Sequence, residues 1–182
     1  MSKLETNTID TVSGTTNLVI GSTNTSTVTF ESGAATGHMN PAFYAYLSSS
    51  QSVSDNVITK VQVNTELLDT DNCYDNSSNY RFTPNKAGKY LVFGCVSGES
   101  NTTNSVNAVE TIISYNGVTF TNPNMSSNGT ATRFLQTSMV VVDMNGSSDY
   151  VELFGKVNIN SGTAEFNSGS KQTYFGAYRM GA

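Results

Sequence analysis

From residue 41 onward, short apolar runs alternate with polar positions and are separated by turn residues, which is the pattern of sandwich strands rather than of helices. These runs predict strands over 42–47, 57–63, 79–83, 88–96, 108–115, 130–143, 149–157 and 173–179. Between them come Pro84-Asn85-Lys86-Ala87-Gly88, Tyr115-Asn116-Gly117, Asn145-Gly146 and Asn167-Ser168-Gly169. Asn-Gly adopts positive φ at little cost, so two of these turns predict tight hairpins. No stretch sustains a helical period. Eight strands in two packed sheets make an all-β jelly roll.

The run Tyr90-Leu91-Val92-Phe93-Gly94-Cys95-Val96 is apolar on both faces. Tyr90, Val92 and Val96 share one side, and Leu91, Phe93 and Cys95 share the other. An antiparallel sandwich strand normally keeps one face wet. Two dry faces imply that one packs in the domain core and the other against a second body. Tyr174-Phe175-Gly176-Ala177-Tyr178 repeats the feature. A subunit interface is the simplest source of the second contact.

Ahead of residue 39 the chain changes character. Residues 6–30 are rich in Thr, Asn and Ser, with Ile9, Val12, Leu18, Ile20, Val28 and Phe30 as isolated apolar positions. So little apolar surface cannot offset the entropy of ordering this segment alone. It either stays disordered or orders against other chains. Residues 1–38 are therefore read as an N-terminal anchoring or stalk segment with its linker, and 39–182 as the folded domain.

Composition narrows the function. A 182-residue chain suits one domain plus an extension, and a core of this size needs no disulfide or metal staple. Charged residues make up only 13%, so surface polarity rests on hydroxyl and amide side chains. A net charge of −5, with Lys and Arg scattered singly, argues against nucleic acid as a partner. No apolar run approaches the roughly 20 residues of a membrane span. Met1-Ser2-Lys3-Leu4-Glu5 has no hydrophobic signal core, so synthesis in a cytoplasm without a signal peptide is expected. Cys95 reads as a small core residue and Cys73 as a loop residue; the sequence leaves open whether they pair.

Over roughly residues 40–182 the chain resembles the C1q/TNF-like jelly-roll superfamily, on the C1q side. Pro41-Ala42-Phe43-Tyr44-Ala45 looks like the opening strand of C1q domains. Thr59-Lys60-Val61-Gln62-Val63, Tyr80-Arg81-Phe82-Thr83-Pro84 and Ala87-Gly88-Lys89-Tyr90 look like the central segment. Asp149-Tyr150-Val151-Glu152-Leu153 and Tyr174-Phe175-Gly176-Ala177-Tyr178 resemble the late and closing strands. The resemblance implies a homotrimer of ten-stranded jelly rolls. It would turn Leu91, Phe93, Cys95 and Tyr174 toward the three-fold axis, and Tyr90 and Val92 into the subunit core. The Thr/Asn-rich leader resembles segments of bacteriophage fibres and virion decoration proteins, which implies virion anchoring through Ile9, Val12, Leu18, Ile20, Val28 and Phe30.

Catalytic chemistry finds little support. His38 is the only histidine, so neither a Ser/His/Asp triad nor a multi-His metal site fits within one chain. Asp69, Asp71 and Asp75 alternate as Ca²⁺ ligands do, but lack the Gly and distal Glu of an EF-hand, and read as a polar turn. Glu99, Glu110, Glu152 and Glu165 read as exposed. Met125, Met139, Met144 and Met180 read as gap-fillers, and Tyr74 and Phe120 as caps on the core. No cofactor is expected and no enzyme activity. The expectation is a phage virion structural protein located in the virion, most simply a capsid decoration or short fibre protein. The alternatives are a tail-fibre receptor-binding tip or a lectin-like module holding a host-surface glycan through loops 97–107 and 120–129.

Overall fold

The structure, a computed structural model, describes residues 41–181 (for 127–130 the backbone alone). The leader 1–38, with its six candidate anchoring residues and His38, lies outside the described residues. Fourteen strands run in order: β1 Ala42–Tyr46, β2 Gln51–Val53, β3 Thr59–Lys60, β4 Thr65–Asp69, β5 Tyr74–Asp75, β6 Arg81–Phe82, β7 Gly88–Ser100, β8 Val106–Tyr115, β9 Val118–Thr121, β10 Asn124–Ala131, β11 Arg133–Met144, β12 Val151–Ile159, β13 Ala164–Phe166 and β14 Tyr174–Gly181. There is no helix among the described residues.

The strands form two seven-stranded antiparallel sheets. The first has the order β2-β13-β7-β14-β1-β4, with β11 on the free side of β7. The second has the order β10-β8-β12-β6-β5, with β9 and β3 completing its ladders on β8 and β12. Asn116 and Gly117 both take positive φ, 51° and 80°, and make the predicted tight hairpin between β8 and β9. The Asn145-Gly146 turn works differently. Asn145 Oδ1 accepts the backbone N–H groups of Ser147, Ser148 and Asp149 in a wider side-chain-capped turn.

Two predicted strands are corrected. The run 57–63 pairs over Thr59–Lys60 only, after which Val61 and Val63 sink into the core while the backbone crosses from the second sheet to β4 in the first. The run 130–143 divides at Thr132, with β10 in the second sheet and β11 in the first. Apolar periodicity persists through such crossings, because both sheets drain into one core. The short strands β2 and β13 exist through pairing partners far away in sequence, a signal that local pattern does not carry.

The core lies between the sheets. Phe43 stacks on Tyr74 at 4.5 Å and on Phe82 at 4.7 Å, and meets Phe175 edge-on at 5.1 Å. Each such ring contributes about 1.5–3 kcal/mol through burial. The register Ala42↔Tyr178, Tyr178↔Leu91 and Leu91↔Val141 fixes the direction of the strands. The chain enters at the end that carries Gly88 and Met144, and the turns at 101–105 and 160–163 lie at the other end.

Candidate functional site

Paired residues in a sheet point to the same side. Tyr44 faces Gly176, Gly176 faces Phe93, and Phe93 faces Met139. The row Tyr46, Tyr174, Cys95 and Thr137 lies beside it, as does the row Tyr178, Leu91 and Val141. The residues between these, Phe43, Val92, Phe175 and Ala177, belong to the buried core. The rows therefore cover the outer face of the first sheet across β1, β14, β7 and β11.

This face is apolar and preorganised. A Cβ on Gly176 would lie 2.5 Å from the Phe93 ring, so only glycine lets that ring rest flat across β14. Tyr44 packs 5.6 Å from Tyr174 and 6.3 Å from Phe93. The Tyr44 hydroxyl donates to the Ser170 carbonyl at 2.6 Å, which holds the ring in place. Burial raises the Tyr44 and Tyr174 phenols and the Cys95 thiol above their ordinary pKa values, so all three stay neutral. Met139 is 61% exposed and Val141 48%. Charge appears only at the two ends of the face, with Lys89 near Asp143 and Arg133 on Glu99 at 2.8 Å. Beside Glu99, the Glu165 carboxyl is pushed up by burial and then by the Glu99 carboxylate.

The outer face of the second sheet is built differently. Lys60 pairs with Glu152 at 2.6 Å, and Lys156 pairs with Glu110. Lys60 also lies over Phe154 at 5.6 Å, and Arg81 over Tyr150 at 4.7 Å. Ion pairs and cation–π contacts satisfy this surface internally.

Of the residues named from sequence, the structure brings Leu91, Phe93, Cys95 and Tyr174 together on the apolar face, with Tyr90 and Val92 in the core. Sequence reading missed Tyr44, Tyr46, Met139, Val141 and Tyr178. The signal was present in β1, where Tyr44 and Tyr46 alternate with the buried Phe43 and Ala45. Other readings need correction. Cys95 is buried but on the outer face rather than in the core. None of the four glutamates is exposed: the ion pairs above cover Glu110 and Glu152, and Glu99 and Glu165 are half-buried. Met125, Met139 and Met180 are exposed, and only Met144 fills the interior. Phe120 is 52% exposed, whereas Tyr74 does cap the core. Cys73 and Cys95 are both free thiols.

The three aspartates serve backbone and lysine partners. Asp69 accepts the N–H groups of Cys73 and Tyr74, and Asp71 pairs with Lys86 at 3.1 Å. Asp75 accepts the N–H groups of Ser77, Ser78 and Asn79, which hold its carboxyl well below the usual range. In the turn at 101–105 polar side chains bond to one another and to backbone: Ser105 to Ser161, and Asn101 Oδ1 to the Thr163 N–H.

No protein-family model matches the chain, and no curated protein matches it in sequence. Solved structures do. Murine APRIL crystallised at pH 8.5 superposes with a TM-score of 0.54 at 15% identity, over 76% of this chain and 98% of that one. The pH 5.0 form of murine APRIL gives 0.53 at 14%, over 76% and 99%. Eiger TNF from S. frugiperda gives 0.52 at 11%, over 79% and 96%. At these identities the likeness is one of fold, and the described domain is a jelly-roll sandwich of the TNF/C1q-like type.

Proposed function

We propose that this chain is a non-enzymatic structural protein whose jelly roll self-associates as a homotrimer through the outer face of its first sheet. The observation that carries this is the contrast between the two sheets. One outer face satisfies its charges internally, while the other displays Leu91, Phe93, Met139, Val141 and a tyrosine cluster with no ion pair among them. Covering such a face gains about 25 cal/mol per Å², and a stable interface needs about 800 Å² from each partner. Large apolar patches of this kind mark interaction sites. Three copies, rather than two, follow from the C1q-like resemblance.

The finer reading is a phage virion appendage, a capsid decoration or short fibre protein held through residues 1–38. The Thr/Asn-rich leader supports it. Sedimentation of the full chain at micromolar concentration tests the self-association. We expect a trimer, and Phe93→Asp or Met139→Lys should give a folded monomer. A monomeric wild-type chain defeats the reading. Peptide mass spectrometry of purified virions tests the location.

A further inference from the structure

A cleft of about 600 Å³ opens along the other edge of the sandwich, lined by β4, by the β5–β6 ladder and by the turn between those two strands. Its walls include Glu66, Asn72, Asp75, Asn76, Asn79 and Arg81. The size falls within the range of small-ligand sites.

Two side chains there carry opposite charges without an ion pair of their own. Lys60, Lys86, Arg133 and Lys156 each pair with a carboxylate. Arg81 has no such partner among the described residues; its guanidinium lies over the Tyr150 ring, 4.7 Å from its centre. Glu66 lines the same cleft, yet neither Arg81 nor any other described group pairs with it. Burial pushes its carboxyl up, and Asp69 adds to the effect. The opposite wall is rigid, since Asp75 is locked by three backbone N–H groups and by the Asn79 amide at 2.8 Å. Tyr80, the last residue of the turn, sits in the left-handed region at φ 50°, as does Asn72, ahead of β5, at 54°. For a residue as bulky as Tyr80 that conformation is a strain, and such strain gathers at ligand-binding segments.

The chemistry of the walls selects the ligand by elimination. An anion would meet Glu66 and Asp75, and a cation would meet Arg81. An apolar molecule would find little apolar wall, because Tyr74 is buried with its hydroxyl donating to the Val63 carbonyl at 2.8 Å. A hydroxyl group donates and accepts at once, which suits a carboxylate acceptor, a guanidinium donor and amides that do both. We infer that the cleft between β4 and the β5–β6 turn binds a neutral saccharide. The proposed contact face spans β1, β14, β7 and β11, and this cleft lies beyond its β1 margin, on β4, β5 and β6.

Saturation-transfer NMR on the full chain with glucose, galactose, mannose and N-acetylglucosamine provides the test. At least one sugar should give a saturable signal, which Glu66→Gln weakens roughly tenfold, the effect of losing a hydrogen bond to a charged group, and Asn76→Ala roughly fivefold, the effect of losing a neutral one. Thr102→Ala, in the turn at the far end, should leave it unchanged. Neither Glu66 nor Asn76 makes a side-chain hydrogen bond among the described residues, so both variants should keep the wild-type melting temperature and the wild-type mass in solution. Silence from all four sugars overturns the inference. So does a signal that survives both cleft variants, or one that sulfate displaces.

Discussion

Glu110 lies within β8, and its side chain is almost wholly covered by the sheet around it. Burial alone would raise its carboxyl. The Lys156 ammonium beside it, with the Asn124 amide at 3.3 Å, more than offsets this, and the group titrates below its ordinary value. A carboxyl whose pKa falls on folding stabilises the fold above its unfolded value, near 4.3, and that contribution is lost as pH falls through the folded value. Glu110→Gln should therefore lower the melting temperature at pH 7. As pH falls through the folded value the carboxyl is protonated and the gap between the two melts should close. A deficit that persists below that value would mean that the carboxyl acts through packing instead. The alternation in β8 states which side Glu110 faces. It says nothing of the lysine that reaches it from β12.

At the scale of elements, the long strands were legible and their partners were not. Residues 42–47, 88–96, 108–115, 149–157 and 173–179 carry dense apolar runs, and each overlaps a strand of five or more residues. β2, β3, β5, β6 and β13 hold only two or three residues apiece, too few for any period to register. How closely the sheets approach is also an element-level property. A Cβ on Gly155 of β12 would lie 2.8 Å from the Phe166 ring and 3.0 Å from Val96, both in the first sheet. Gly155→Val must push the sheets apart or eject the ring, a cost of about 1–3 kcal/mol typical of overpacking. Urea denaturation reads it as a lower midpoint. An unchanged midpoint would show that the sheets part more readily than their packing implies.

For the whole molecule, the two outer faces determine how it meets its surroundings. The proposed contact face carries charges only at its margins, so its strength comes from apolar burial, which salt does not screen. Sedimentation between about 0.05 and 1 M salt should show the same assembly mass, because the Debye length shrinks from more than 10 Å to about 3 Å while the apolar contact is left intact. Dissociation at high salt would place the association on the Lys89–Asp143 and Arg133–Glu99 margins instead.

By itself, the sequence determined that the described domain is all-β and that its β7 strand is apolar on both faces. Those conclusions follow from local periodicity and composition, which act within a few residues. Only the tertiary structure decided that Tyr44, Phe93, Tyr174 and Met139 form one surface, and that Glu66 and Arg81 share a cleft without pairing. Period-2 alternation assigns each side chain to a face, but the identity of its neighbours is set by strand pairings across as many as 136 positions, as between Ala42 and Tyr178. Pairings at that range are fixed by closure of the whole sandwich around one core, and no local window contains them.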